Sequence, residues 1–364
     1  MADIQAVSHG DLIVCASGQE EYKARDAIDA ALFRGELEPS WRNFLLRLKA
    51  EECANELELE LDDDAIDSAG EAIRYQHDLI TAEETEQWLA LRALTLDEFS
   101  DYFARQYWPG ALEETIEPAD INYVSASSGQ RDLFSVDLIL SGELDQMTRA
   151  LMWRIASIIA ADDKAADPEA IAGERRKFFE RIKIKETKLS GWLNDLGRDE
   201  RWFEQMLTME GAYGQRREKL LDPQARKKEL AMMRIPLTRF EAEMIEVESR
   251  DAAREASFCI RDDRTPMQEV AAEGRYPYRK VSFLQQELPD DLQQKFLSVV
   301  AGTVLEPIKR SESFELYRII EKIEPRADDP VVQQQIDQRL LERHFSDLAG
   351  QHVESRLPTV VSAE

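Results

Sequence analysis

The sequence predicts an α+β protein that is mainly helical: a long helical region, then a small β-α-α-β-α-β-β module, then one more long helix. Three observations carry this. The pattern is helical up to Pro236, it becomes mixed strand and helix over residues 239–323, and a single amphipathic stripe runs from Asp328 to Val353.

The chain has 364 residues, enough for two or three domains. We divide it into an acidic helical lobe (1–117), a second helical lobe read as a repeat of the first (118–235), the mixed module (236–325), and a C-terminal helix with a tail (326–364), the helix expected to pack on the helical region. There are 73 acidic against 46 basic residues, a net charge of −27, and a field of that sign argues against nucleic acid or an anionic membrane as partner. With 43% hydrophobic residues and 33% charged, the chain can bury a core and keep a solvated exterior.

Cys15, Cys53 and Cys259 form no Cys-x-x-Cys pair and leave an odd thiol, the usage of a reducing compartment. The opening MADIQAVSHGDLIVCASGQ has no basic region and only the short apolar run Leu12 to Cys15, and no stretch approaches the ~20 apolar residues of a membrane span. A soluble, cytoplasmic protein is expected.

The helical region shows internal similarity. LFRGELEPSWRNFLLRLKAEE, from Leu32, is matched by LILSGELDQMTRALMWRIASI, from Leu138. Gly35 and Gly142 are 107 positions apart, while Trp88 and Trp192, like Phe99 and Phe203, are 104 apart, so one three-residue deletion aligns them. Duplication predicts, in each copy, a glycine-turned helix entry, a long helix, a second helix, and a Trp-Leu corner leading into a third. Chance likeness between acidic helices is the alternative.

Charge is polarised between the copies. Residues 51–101 hold seventeen acids against Arg74 and Arg92 alone, whereas 154–234 hold eighteen basic and fifteen acidic residues. Arg175, Arg176, Lys177, Arg181, Lys183, Lys185 and Lys188 bunch along one predicted helix. A solvated helix face explains such a cluster; so does a site for an acidic peptide segment.

In the module, Arg239 to Val247 alternates like a half-solvated strand, and Ser249 caps a helix reaching Asp263. A short helix from Thr265 stops at Gly274, a strand runs Tyr278 to Phe283, and a helix runs Asp290 to Gly302. Thr303 to Arg310 and Ser313 to Ile323 read as two strands joined by a polar turn.

The usual catalytic constellations are missing. Histidine occurs only at 9, 77, 344 and 352, and His344 and His352 are two helical turns apart, too far to share a metal. No phosphate loop, dinucleotide turn, nucleophile elbow or His-Glu-x-x-His pair is present, and ELDDDAIDSAGE lacks the order of a calcium loop. No cofactor, metal or catalytic residue is predicted.

The element order of residues 239–323, with Leu288-Pro289-Asp290-Asp291-Leu292, Gly302-Thr303-Val304-Leu305-Glu306-Pro307 and Phe314 to Ile323, resembles a parvulin-type prolyl isomerase domain. The helices before and after it look like the chaperone part of the SurA class. Active parvulins carry one histidine in the first strand and one in the last; here Met244 and Tyr317 stand at those places, and GRYPYRKVSF, from Gly274, replaces the Gly-Gly-Asp-Leu-Gly stretch. ESRDAAREA (from Glu248), EVAAEGRYPYRK (from Glu269) and QRLLERHFSDL (from Gln338) are similar to PpiC-related peptide-maturation proteins of bacterial clusters for ribosomally made, modified peptides.

What the resemblance implies is a non-catalytic chaperone or scaffold that holds a precursor or unfolded peptide, in a cleft between helical lobes and module, for peptide-modifying enzymes. Arg175, Arg176, Arg181 and Lys185 would supply charge to an acidic leader, and Met244, Tyr276, Tyr278 and Tyr317 the module's pocket. The alternatives are a histidine-less prolyl isomerase using Cys259, Tyr317 or carboxylates, and an adaptor that joins maturation enzymes through the acidic lobe.

Overall fold

The computed structural model describes residues 8–112, 116–161, 167–310 and 312–357. The chain falls into two compact units, one of the residues up to Glu218 together with those from Arg343 onward, the other Lys219–Glu342.

The first unit opens with β1 (Ile13–Ser17) and β2 (Glu20–Lys23), followed by α1 (Ala24–Phe33), α2 (Glu38–Glu56), α3 (Asp63–Gln76), α4 (Ala82–Ala90) and α5 (Leu96–Ala111). A second run of five helices follows: α6 (Ser128–Leu140), α7 (Glu143–Ile159), α8 (Pro168–Ile182), α9 (Leu189–Leu196) and α10 (Glu200–Leu220). The helix starts are written in the sequence. Thr81 and Thr95 each accept from the backbone of a glutamate three residues on, and Glu84 and Glu98 reach back to the caps.

The two five-helix runs match element for element. Gly35 and Gly142 both turn the chain into the second helix with φ of 71° and 74°, a left-handed conformation that a side chain would strain. Trp88 lies in α4 and Trp192 in α9; Phe99 lies in α5 and Phe203 in α10. α1 packs against α7 of the other run, and α6 packs against α2 and α5 of the first run as well as against its own neighbour α7. Trp41 and Phe44 of α2 meet Phe134 of α6 with ring centroids 5.0 and 5.2 Å apart. One apolar cluster therefore draws on both stretches that the sequence separates into lobes.

The apolar run from Leu12 contributes Ile13, Val14 and Cys15 to β1, with Val14 and Cys15 fully buried. β1 is the centre of a three-stranded antiparallel sheet, between β2 and the two-residue β7 (Glu354–Ser355). Strands this short carry almost no periodic signal, so the sequence reading contains none of them.

In the second unit α11 (Pro223–Met232) precedes the module: β3 (Arg239–Val247), α12 (Arg250–Arg261), α13 (Met267–Gly274), β4 (Tyr278–Leu284), α14 (Asp290–Ser298), β5 (Ile308–Arg310) and β6 (Ser313–Ile323). The sheet is antiparallel in the order β4-β3-β6-β5. Two expectations change. α14 ends at Ser298, where the β-branched Val299 leaves the helix in extended conformation. The strand expected from Thr303 shrinks to β5 and one bridge, Val304 to Arg318. Pro307 has no N–H to give to a ladder.

α15 (Pro330–His352) divides its apolar stripe. Val332, Ile336 and Leu340 pack with Leu221, Met233 and Leu237, secured by a two-pronged Arg226–Asp337 pair at 2.7 and 2.6 Å. Further on, Phe345 lies between Trp153 and Tyr213, and Ala349 and Val353 join the large cluster of the helical unit.

Candidate peptide-binding site

The period of two in the module's strands sorts its side chains onto two sheet faces. Phe240 and Ala242 of β3, Val281 and Phe283 of β4, and Tyr317 and Ile319 of β6 pack in one cluster with Phe296 of α14. Ile245, Val247 and Leu316 lie on the other face, covered by α12 and α13.

Met244 and Tyr317 are register partners across β3 and β6, on the first face. The Tyr317 ring sits 5.3 Å from Phe296 and 6.4 Å from Phe283, edge to face in both cases. Its hydroxyl donates to Glu315 Oε2 at 2.9 Å, and Arg310 Nε donates to the same carboxylate at 3.3 Å. Burial, then the bond to Glu315, pushes the Tyr317 pKa up, so the phenol stays protonated at neutral pH. Met244 is 6% exposed, while Val281, Phe283 and Tyr317 remain half-buried. The result is an apolar, aromatic shelf beside a fixed Tyr-Glu-Arg chain, which can hold apolar side chains and offers no imidazole.

Tyr276 and Tyr278 are not part of it. Both pack against the cluster on the opposite face, and the Tyr278 hydroxyl donates to Glu243 Oε1 at 2.8 Å. Gly274 permits this packing, since a Cβ there would stand 2.0 Å from Cε2 of Tyr276. Cys259 borders the same second cluster, so it and Tyr317 do not share a face. The residues the sequence reading missed are Phe283 and Phe296. Alternation along Tyr278–Leu284 would have placed Phe283 on the face of Val281, and the register sets it opposite Phe240.

The basic cluster is not one free helix face. α8 ends at Ile182 with Lys183 left-handed (φ 57°), so Lys183, Lys185 and Lys188 lie beyond it. Arg175 is held by Glu186 at 3.0 Å and by Glu204, and sits over the Phe203 ring. Arg181 donates to the Phe33 carbonyl oxygen and faces Glu174 at 3.8 Å. Arg176 and Lys185 are exposed. The four basic candidates therefore divide into two engaged by their own fold and two open to solvent.

Among the described residues no group of three or more His, Cys, Asp or Glu could hold a metal ion, and no helix is long and apolar enough to cross a membrane.

These elements define a mainly helical α+β fold with small antiparallel sheets. No protein-family model matches the chain, and no curated protein does. Among solved structures it is similar to the peptidylprolyl isomerase PrsA of Bacillus cereus, at 12% identity over 60% of this chain and 85% of that one, with a TM-score of 0.35. PrsA of Bacillus anthracis gives 14% identity, 56% and 94% coverage and a TM-score of 0.30. A SurA-like chaperone of Campylobacter jejuni gives 9%, 61% and 87%, and 0.20. TM-scores this low carry no argument about binding or activity, and the fold stands on its own connectivity and register.

Proposed function

We propose that this chain is a non-catalytic peptide-binding chaperone that holds a precursor or unfolded peptide for enzymes that modify it. The observation that carries the reading is the Met244–Tyr317 register pair on a half-buried aromatic face, at the two places where the parvulin resemblance calls for histidine. A thioether and a protonated phenol keep the surface apolar and adaptable, and neither exchanges protons near neutral pH. An extended peptide laid there gains by covering Val281, Phe283 and Tyr317, at about 25 cal/mol per Å² of apolar area. Ordering the peptide offsets most of that gain, which points to micromolar affinity. A reducing, cytoplasmic setting belongs to the same proposal, with Cys15, Cys53 and Cys259 all free.

Calorimetric titration with an uncharged, apolar, unstructured peptide tests the reading. Binding that weakens at least about tenfold in the double variant Met244→Asp, Tyr317→Ala supports it; about 1.4 kcal/mol would then reside on this face. No heat with the native protein overturns it.

A further inference from the structure

The acidic half of the helical unit contains a groove that the peptide-binding reading above leaves unused. It has a volume of about 370 Å³ and runs between α3, α4 and α5. Its apolar surface comes from Ile66, Leu96, Phe99 and Phe103. Phe99 and Phe103 are one helical turn apart, and Gly70 faces them from α3 with no side chain, its would-be Cβ 3.7 Å from the Phe99 ring. Leu96 is 50% exposed. The same segment leaves Tyr75, Ile80 and Leu91 more than half exposed, an uncommon amount of solvated apolar surface for one helical hairpin.

The charged lining is one-sided. Asp67, Glu71 and Glu86 border the groove, are exposed, and make no ion pair among the described residues. The segment's two cations do little to balance them. Arg92 is 4% exposed and stacked 4.0 Å over the Trp88 ring, and Arg74, which also lines the groove, has Nη2 held by the Ile80 carbonyl oxygen at 3.1 Å. The contrast with α8 decides the sign of the partner. There the cations Arg175 and Arg181 are answered by Glu186, Glu204 and Glu174, whereas here the acids are unanswered.

We infer that this groove docks a basic amphipathic segment of the peptide the protein holds, its apolar stripe on Ile66, Leu96, Phe99 and Phe103 and its Lys or Arg residues against Asp67, Glu71 and Glu86. Helix-in-groove recognition needs an apolar floor with a charged rim, and this lining supplies both. The surplus of acids over residues 51–101 steers the cationic segment toward it. The inference rests on the peptide-binding reading but reverses the charge expected of the peptide, basic in place of acidic.

The test is titration of the full-length protein with a synthetic peptide of lysine and leucine at helical spacing, with a glutamate-leucine counterpart as control. The lysine peptide should bind at least about tenfold tighter than the glutamate peptide, and the double variant Glu71→Lys, Glu86→Lys should remove that advantage. Glu269→Lys with Glu273→Lys, the same charge change on exposed positions of α13, should alter affinity less than about twofold. Equal effects of the two double variants, or none from either, would overturn the groove assignment. The uncharged peptide separates the two claims. If it binds while the lysine peptide does not, the groove fails alone; if it fails while lysine-peptide binding depends on Glu71 and Glu86, the groove stands and the sheet-face site falls.

Discussion

Arg47 and Arg154 stand 107 positions apart, the spacing of Gly35 and Gly142, and each closes a buried ion cluster across the two halves of the helical unit. Arg47 of α2 meets Asp137 of α6 at 3.1 Å, and Arg105 of α5 meets the same carboxylate at 2.9 Å. Arg154 of α7 meets Glu210 of α10 at 2.9 Å, with Arg34, at the end of α1, 3.8 Å away. Exchange α1 with α6, α2 with α7 and α5 with α10, and one cluster falls on the other with its charges redistributed. Each cluster ties the first helix of one half to the second and fifth helices of the other.

The two clusters predict opposite outcomes on substitution. Asp137 is 2% exposed and answers two arginines, so Asp137→Ala leaves both uncompensated and should cost about 3–5 kcal/mol. Arg34 is 8% exposed; its Nε donates to the exposed Glu36 at 2.7 Å, but its Nη1 and Nη2 have no hydrogen-bond partner, burial lowers its pKa, and Glu210 keeps Arg154 without it. Arg34→Met should therefore be neutral within about 1 kcal/mol, or stabilising. Urea denaturation of both variants checks the contrast.

A second prediction concerns Phe345, fully buried with its ring 5.7 Å from Trp153 and 4.6 Å from Tyr213. Phe345→Ala opens a cavity at that junction and should cost about 3–5 kcal/mol. Val331, on the same helix but 59% exposed, should tolerate alanine within about 0.5 kcal/mol. Thermal unfolding of the two variants separates a packed helix end from an indifferent one.

Asp29 supplies the pH prediction. Burial pushes its pKa up from 3.8 to about 6, although Arg198 binds its carboxylate. A carboxyl whose folded pKa lies above its unfolded value stabilises the fold most when both states are protonated, and that contribution is lost as pH rises toward the folded value. Relative to Asp29→Asn, the native protein should thus lose stability between pH 4 and pH 6 and then level off. Denaturation midpoints of the two proteins across that window give the answer, and a gap that widens in the native protein's favour would contradict it.

Tyr317 gives a prediction on binding. Its hydroxyl is already committed to Glu315, so Tyr317→Phe should leave the affinity for an apolar peptide within about twofold, whereas Tyr317→Ala removes the ring and should weaken it about tenfold. Calorimetry on both variants distinguishes a grip by the ring from one by the hydroxyl.

Much of this architecture is legible before any coordinates. The glycine spacing anticipates the turn into each long helix because a left-handed turn tolerates few other residues, though Trp88 and Trp192 lie inside helices of their own and not at corners, and the alternation of Arg239–Val247 anticipates the strand that carries Met244. The partition of charged side chains is not legible. Arg175 and Arg181 read as a free basic face because their answering acids, Glu204, Glu186 and Glu174, are separated from them along the chain or lie on the helix itself. Tyr276 and Tyr278 read as neighbours of Tyr317 because composition does not say which sheet face a residue takes; the register does.

Exchange-spectroscopy NMR on an Ala-Pro-Phe-type peptide reads grip and catalysis in one sample. The account predicts chemical-shift changes in the peptide that vanish with Met244→Asp and Tyr317→Ala, together with cis-trans exchange no faster than in buffer. Accelerated exchange lost in the same variants would show that the shelf twists proline bonds, and would contradict a chaperone that only holds.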